Sequence, residues 1–215
     1  MHFFQRQMLR PGSLGRKPIQ SLQQRKFLSR VQPEPLISHD SPAMSGSQKA
    51  RYKRFNEVPN DYLEALGRHP ARNALIVQRL LGFGKSSSVL VFACSVEHAE
   101  ILSLALNSVG RSARCVTANT PRHEQLITLN AFRNREVNFV CNVGVLTTGF
   151  DAPKIDVICI TRPTSSALLY EQMVGRGLRG PRNGGTLVCT VLDVQDRGLP
   201  EGMMSYARVL DLWEA

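Results

Sequence analysis

Several signatures of large protein classes are missing from this sequence. None of its apolar runs reaches the ~18 residues that a membrane-spanning helix needs, which argues against a membrane partner. The five cysteines, Cys94, Cys115, Cys141, Cys159 and Cys189, form no CxxC pair and lie in or beside apolar segments. That placement suits buried free thiols in a reducing compartment and excludes a disulfide scaffold or a clustered zinc site. A single tryptophan, Trp213, is too isolated to build a stacking platform. A phosphate loop of the form GxxxxGK(S/T) is missing too. The nearest approach is Gly82-Phe83-Gly84-Lys85-Ser86, but Arg79 stands where the first glycine belongs. The segment also follows a helical pattern and precedes a strand, the reverse of the required order. No acidic pair after a strand offers a magnesium site, and no GxSxG elbow supports a serine nucleophile.

Acidic residues are scarce in one part of the chain. The 215 residues carry 27 Lys/Arg against 17 Asp/Glu, a formal net charge of +10. Residues 1–60 hold 11 basic and 3 acidic side chains, whereas residues 61–215 are close to balance. A basic segment attracts phosphate, and it also suits a solvated leader. The first 33 residues contain seven Arg/Lys and no acid, which is compatible with an organellar presequence. The expectation is a cytoplasmic, nucleoid-associated protein, with a mitochondrial one as the alternative. The segment Lys49-Ala50-Arg51-Tyr52-Lys53-Arg54-Phe55 interleaves bases with aromatics. It suits either a polynucleotide contact or a solvated linker.

Prolines and glycines punctuate residues 10–60, where only residues 19–31 space their apolar positions as a short helix, and residues 38–48 read as a loop. Beyond Tyr62 the pattern becomes regular. Two helical pieces divide around Pro70. Residues 88–93 (SVLVFA), 113–118, 138–143, 157–160 and 186–192 are apolar strands. Helices over 97–109, 121–132 (with Thr120 as its cap) and 167–178 separate them, and residues 206–213 form a last helix or an irregular tail. Strands that are apolar throughout and alternate with helices predict an α/β fold with a mainly parallel sheet covered on both faces. Ligands of such sheets gather at the carboxyl ends of strands. The division expected is an arm or bridge over 1–60, a core over 61–200 and a tail over 201–215.

Two segments carry chemistry. Thr147-Thr148-Gly149-Phe150-Asp151-Ala152-Pro153 follows a strand. Its glycine permits close backbone approach, its threonines suit phosphate oxygens, and Asp151 suits a ribose hydroxyl or a turn cap. In Gln172-Met173-Val174-Gly175-Arg176-Gly177-Leu178-Arg179-Gly180, the residues Gln172, Arg176 and Arg179 would share one stripe of a helix. Two arginines on one stripe suit phosphate oxygens and the charge of phosphoryl transfer. A solvated basic face near a helix end has the same composition. His98 and His123 read as surface or locally hydrogen-bonded histidines.

These two segments resemble motifs V and VI of the second RecA-like domain of superfamily 2 helicases. Residues 89–100 (VLVFACSVEHAE) resemble motif IV, and residues 117–124 (TANTPRHE) the strand–loop–helix that follows it. Residues 145–153 and 161–179 are similar to the RadD/YejH-like and Irc3-like branch of DEAD/DEAH-type ATPases. A weaker echo over residues 22–36 looks like the bridge from a first domain. The resemblance implies a RecA-like helicase C-terminal domain. Arg176 and Arg179 would be arginine fingers, and Gln172 would position them or contact the phosphates of the nucleotide. Gly149 and Asp151 would lie at the nucleotide cleft. Ser95, Thr120, Thr147 and Thr148 would contact a nucleic-acid backbone, DNA on the closer branch, and residues 161–163 would line the neighbouring loop. ATP and Mg2+ would both require a first motor domain that this sequence does not contain. The alternative implied is a non-catalytic nucleic-acid-binding or regulatory module of the same descent.

Overall fold

The computed structural model describes residues 17–145 and 154–214. In chain order its elements are α1 (Pro18–Gln24), β1 (Arg30–Ser38), α2 (Gly46–Phe55), α3 (Asn60–Arg68), α4 (Pro70–Leu81), β2 (Val89–Phe92), α5 (Val96–Ser108), β3 (Ala113–Val116), α6 (Arg122–Arg133), β4 (Phe139–Asn142), β5 (Val157–Ile160), α7 (Ala167–Gly175), β6 (Val188–Asp196) and α8 (Tyr206–Glu214). The strands form one sheet in the order β1-β6-β5-β2-β4-β3, and each adjacent pair is parallel.

The central strands β2 (VLVF), β4 (FVCN) and β5 (VICI) are buried at every position. Such strands need apolar side chains on both faces. Leu90, Phe92, Ile158 and Ile160 face one core with Tyr170, Met173, Val174, Tyr206 and Val209. Val89, Val91, Val157 and Cys159 face the other with Ile76, Leu80, Ala99, Leu102 and Leu106. The expected parallel sheet, covered on both faces, is therefore present. A third cluster of Met44, Tyr62, Leu63, Leu66 and Cys94 packs α3 and the chain before α2 over the end of β2. Residues 39–68 thus form a helical cap on the carboxyl edge of the sheet.

The sixth strand departs from the sequence expectation. Residues 30–38 belong to the sheet, as β1 pairs residue for residue with β6 from Arg30↔Val188 to Ser38↔Asp196. Pro33 and Pro35 obscured this strand. The Arg30 N–H donates to the Leu187 carbonyl, so even-numbered amides face β6 and the two prolines turn their nitrogens outward. An edge strand tolerates that placement. The expected loop over 38–48 is also shorter than read. α2 begins at Gly46 behind a capping box in which Ser45 and Gln48 satisfy each other's backbone N–H groups. Near the other end, α8 is a helix that buries Tyr206 and Val209.

All five cysteines are free, and four are buried. Burial raises the thiols of Cys94, Cys141, Cys159 and Cys189, which keeps them protonated and unreactive.

Candidate functional site

The structure sorts the predicted residues that lie among the described ones onto two opposite edges of the sheet. The edges are about 13 Å apart, the length of a four-residue strand at ~3.3 Å per residue.

Ser95 and Thr120 lie on the carboxyl edge, after β2 and β3. The Ser95 hydroxyl caps α5 by accepting the His98 N–H at 3.1 Å. The Thr120 hydroxyl accepts the Thr117 N–H at 2.9 Å, while its carbonyl accepts from Gln125 at 2.8 Å. Pro121, not Thr120, is the cap residue of α6, and no side chain caps it. The hydroxyl expected to cap the helix closes the preceding turn instead. Thr161 is buried and donates to the Phe92 carbonyl at 2.8 Å, and Arg162 donates to the Cys94 carbonyl at 3.0 Å.

Beneath these loops lies a buried ion pair that the sequence did not reveal. Arg72, from the first turn of α4, grips Asp196 at the end of β6 with Nε at 2.6 Å and Nη2 at 2.9 Å. Nη2 also donates to the Thr161 carbonyl at 2.6 Å, and Ser41 donates to Asp196 at 2.5 Å. Neither side chain of the pair is exposed. The arrangement ties α4, β5, β6 and the cap together.

His98 is fully buried, which corrects its reading as a surface group, although its bond is local as expected: Nδ1 accepts the Cys94 N–H at 3.2 Å. Burial, helped by Arg72, lowers its pKa to about 3. The imidazole is therefore neutral at physiological pH. Gly67 makes room for it, because a Cβ there would stand 2.7 Å from the His98 Cβ. A cavity of about 250 Å³ opens beside the ends of β5 and β6, lined by Arg162, Tyr170, Asp193, Leu199, Met203 and Met204 among others. Burial raises Asp193 to about 6, and the Tyr170 hydroxyl opposes it outside hydrogen-bond geometry. An acid set within an apolar strand was the signal for this cavity, but the predicted strand stopped at Leu192.

Gln172, Arg176 and Arg179 do not form one helical stripe. Gln172 lies on α7, Arg176 is its C-cap residue, and Arg179 forms an isolated bridge with Leu28. Helical periodicity therefore ends at Arg176. The 175–180 turn sits on the amino edge, beside the starts of β1 and β6. The Ser29 N–H donates to the Leu178 carbonyl at 2.9 Å, and the Gly180 N–H to the Phe27 carbonyl at 3.0 Å. The Ser29 hydroxyl reaches the Arg179 and Thr186 carbonyls, each at 2.7 Å.

Glycine is required here for packing. A Cβ on Gly177 would run into Cys189 Sγ and meet Ile158 Cγ1 at 2.7 Å. One on Gly180 would meet the backbone of residues 26–28 at 2.5–2.8 Å. Residues 26–29 thus buttress the two arginines, although the sequence placed them in a separate arm. Thr147, Thr148, Gly149 and Asp151 lie outside the described residues. Among the described residues, no group of three His, Cys, Asp or Glu side chains fits a metal ion. The charge of the arginine turn suits a polyphosphate. No helix among the described residues is long and apolar enough to cross a membrane.

The chain's relatives share this architecture. Residues 72–180 match the model of the helicase conserved C-terminal domain, and the chain belongs to that family. It is 40% identical over 110 residues to the Schizosaccharomyces pombe protein named as mitochondrial ATP-dependent helicase irc3, covering 51% of this chain and 18% of that relative. Among solved structures, an HsdR-subunit fragment of a type I restriction enzyme from Vibrio vulnificus superposes with a TM-score of 0.60 at 21% identity, over 82% of this chain and 36% of that one. The C-terminal domain of the DEAD-box protein Dbp5 gives 0.53 at 13% identity, over 88% and 84%. These likenesses establish the RecA-like fold. The chain spans less than a third of the length of the curated relatives it matches.

Proposed function

We propose that this chain acts by itself as a nucleic-acid-binding module of helicase descent and becomes half of an ATPase only when joined by a first motor domain. One observation carries the reading. The arginine turn, inside the segment that matches the helicase C-terminal domain, is held on the amino edge by packing against backbone and core atoms. In this reading, Arg176 and Arg179 present charge to the phosphates of a nucleotide held by the first domain. Gln172, one turn before Arg176, orients them. Gly149 and Asp151 complete the cleft. Ser95, Thr120, Thr147 and Thr148 contact the polynucleotide backbone, with DNA as the substrate on the closer family branch. Mg2+ ligands come from the first domain. A bound nucleotide triphosphate and its metal supply the leaving group and Lewis acidity; this chain contributes charge neutralisation.

The test is ATP turnover by the purified chain with single- and double-stranded nucleic acid, alone and with a first motor domain added. The expected result is negligible turnover alone and stimulated turnover in the mixture. Robust turnover by the chain alone, abolished by Arg176→Ala, would overturn the proposal. The basic N-terminal residues and the likeness to a protein named as mitochondrial favour a mitochondrial location over a cytoplasmic one. A fluorescent fusion that stays in the cytoplasm when residues 1–33 lead it would refute that placement.

A further inference from the structure

The cap helix α2 carries the basic–aromatic segment, and neither the family match, which begins at residue 72, nor the reading above uses it. Tyr52 anchors this helix. It is buried, and its hydroxyl donates to the Glu201 carbonyl at 3.2 Å. Gln48 and Arg51 hold Asp61 of α3, and Ser165, in the loop after β5, donates to the Asn56 carbonyl at the end of α2. These contacts fix α2 against the carboxyl edge, beside the loop that begins at Thr161.

At 3.6 residues per turn, Lys53 and Arg54 flank Ala50 on the side away from Tyr52, and Lys49 lies one turn before Lys53, nearer the Tyr52 edge. All four are exposed. Among the described residues no acid pairs with Lys49, Lys53 or Arg54, whereas Arg51 and Arg68 have carboxylate partners. Glu57, beyond the helix end, is the nearby acid in sequence, and it lines the groove under Arg162. Phe55 is 60% exposed, and the Arg54 guanidinium sits 5.1 Å from its ring centroid. Unpaired cations beside an exposed ring complement a flexible polyanion whose bases are free to stack. A duplex would use the cations but not the ring.

We infer that α2 is a docking surface for single-stranded polynucleotide, with Lys49, Lys53 and Arg54 on the phosphates and Phe55 stacked on one base. This rests on the nucleic-acid reading above and extends its track from the loops after β2, β3 and β5 onto the cap. Cations in the last turn also balance a helix dipole, and that role predicts a change in melting temperature alone.

The experiment measures binding of the full chain to 30-nucleotide single strands of DNA and of RNA, and to a duplex, across a salt series. Replacing Lys49, Lys53 and Arg54 together with glutamine should lower single-strand affinity about 100-fold at 0.1 M salt. It should also flatten the log–log salt slope by about 2, because each phosphate contact contributes about 0.7. Phe55→Leu should weaken single strands about 5-fold or more while leaving duplex binding unchanged. DNA and RNA should respond alike unless the sugar is read. If the unsubstituted chain binds but the triple variant keeps its slope and affinity, the docking surface is refuted and the wider reading stands. Binding to none of the polynucleotides at low salt would refute both. Equal losses on single strand and duplex with Phe55→Leu would remove the stacking role.

Discussion

The two edges of the sheet are built on different physics. On the amino edge, shape holds the 175–180 turn: two glycines pressed against Cys189, Ile158 and the backbone of residues 26–28, with Ser29 bridging the strand starts. On the carboxyl edge, charge and burial dominate, with the Arg72–Asp196 pair, the neutral His98 and the raised Asp193. The lesson is that a turn presenting cations to a ligand is better positioned by groups that do not titrate. The opposite edge gains cohesion from polar groups but becomes sensitive to pH and to the loss of any one partner.

The largest expected effect would separate the edges functionally. In the assembled ATPase, Arg176→Ala should reduce turnover by about 10³-fold, as for an arginine finger, and leave polynucleotide affinity within 2-fold of about its original value. Steady-state turnover and equilibrium binding on the same variant check this. A parallel loss of both would mean that the edges are not separate in function.

Next is stability on the carboxyl edge. Arg72→Ala leaves Asp196 buried without its counter-charge, and chemical denaturation should show a loss of about 3–5 kcal/mol. On the amino edge, Gly180→Ala forces a methyl group against backbone atoms that have little room to move. A loss of about 1–3 kcal/mol is expected, with no pH dependence between pH 5 and 8 because nothing at that contact titrates.

The subtlest effect lies in the pH profile. Asp193 has a folded pKa above its unfolded value, so its destabilising contribution grows as pH rises from about 4 to about 6. His98 has a folded pKa of about 3 against 6.5, so stability falls as pH drops below 6.5. The two slopes oppose each other between about pH 4 and 6. Asp193→Asn should add about 2–3 kcal/mol at pH 7.5 and uncover the His98 slope, giving a protein more stable at neutral pH but more sensitive to acid. Melting temperatures across pH 4–8 that shift in parallel for both proteins would show that Asp193 does not titrate as described.

Much of the fold was legible because buried parallel strands leave an uninterrupted apolar signature. β2, β4 and β5 read directly from VLVF, FVCN and VICI. β1 did not, since Pro33 and Pro35 look like turn residues until an edge position explains them. The family emerged from motif order, but the placement of its residues did not. Counting helical periodicity through Gly175 and Gly177 put Arg179 on α7, whereas it belongs to a bridge with Leu28. Arg72 and Asp196 were invisible because burial pairs residues far apart in sequence, and nothing local marks such partners; Asp193 was missed because the predicted strand ended one residue before it.

The pairing of β1 with β6 also has a consequence for assembly. Because β1 runs parallel to its neighbour, chain entering through α1 arrives at the amino edge, next to Arg176 and Arg179. A motor domain carried on that side of a shared chain would meet the arginines at an effective concentration set by a short tether, in the millimolar range. α8 packs against α1 and α7, with Trp213 Nε1 donating to Glu171 of α7 at 2.8 Å, so chain leaving through α8 emerges near the same edge. Under the reading proposed above, a tether at either end of the described chain would therefore raise the local concentration of a partner at the arginine turn.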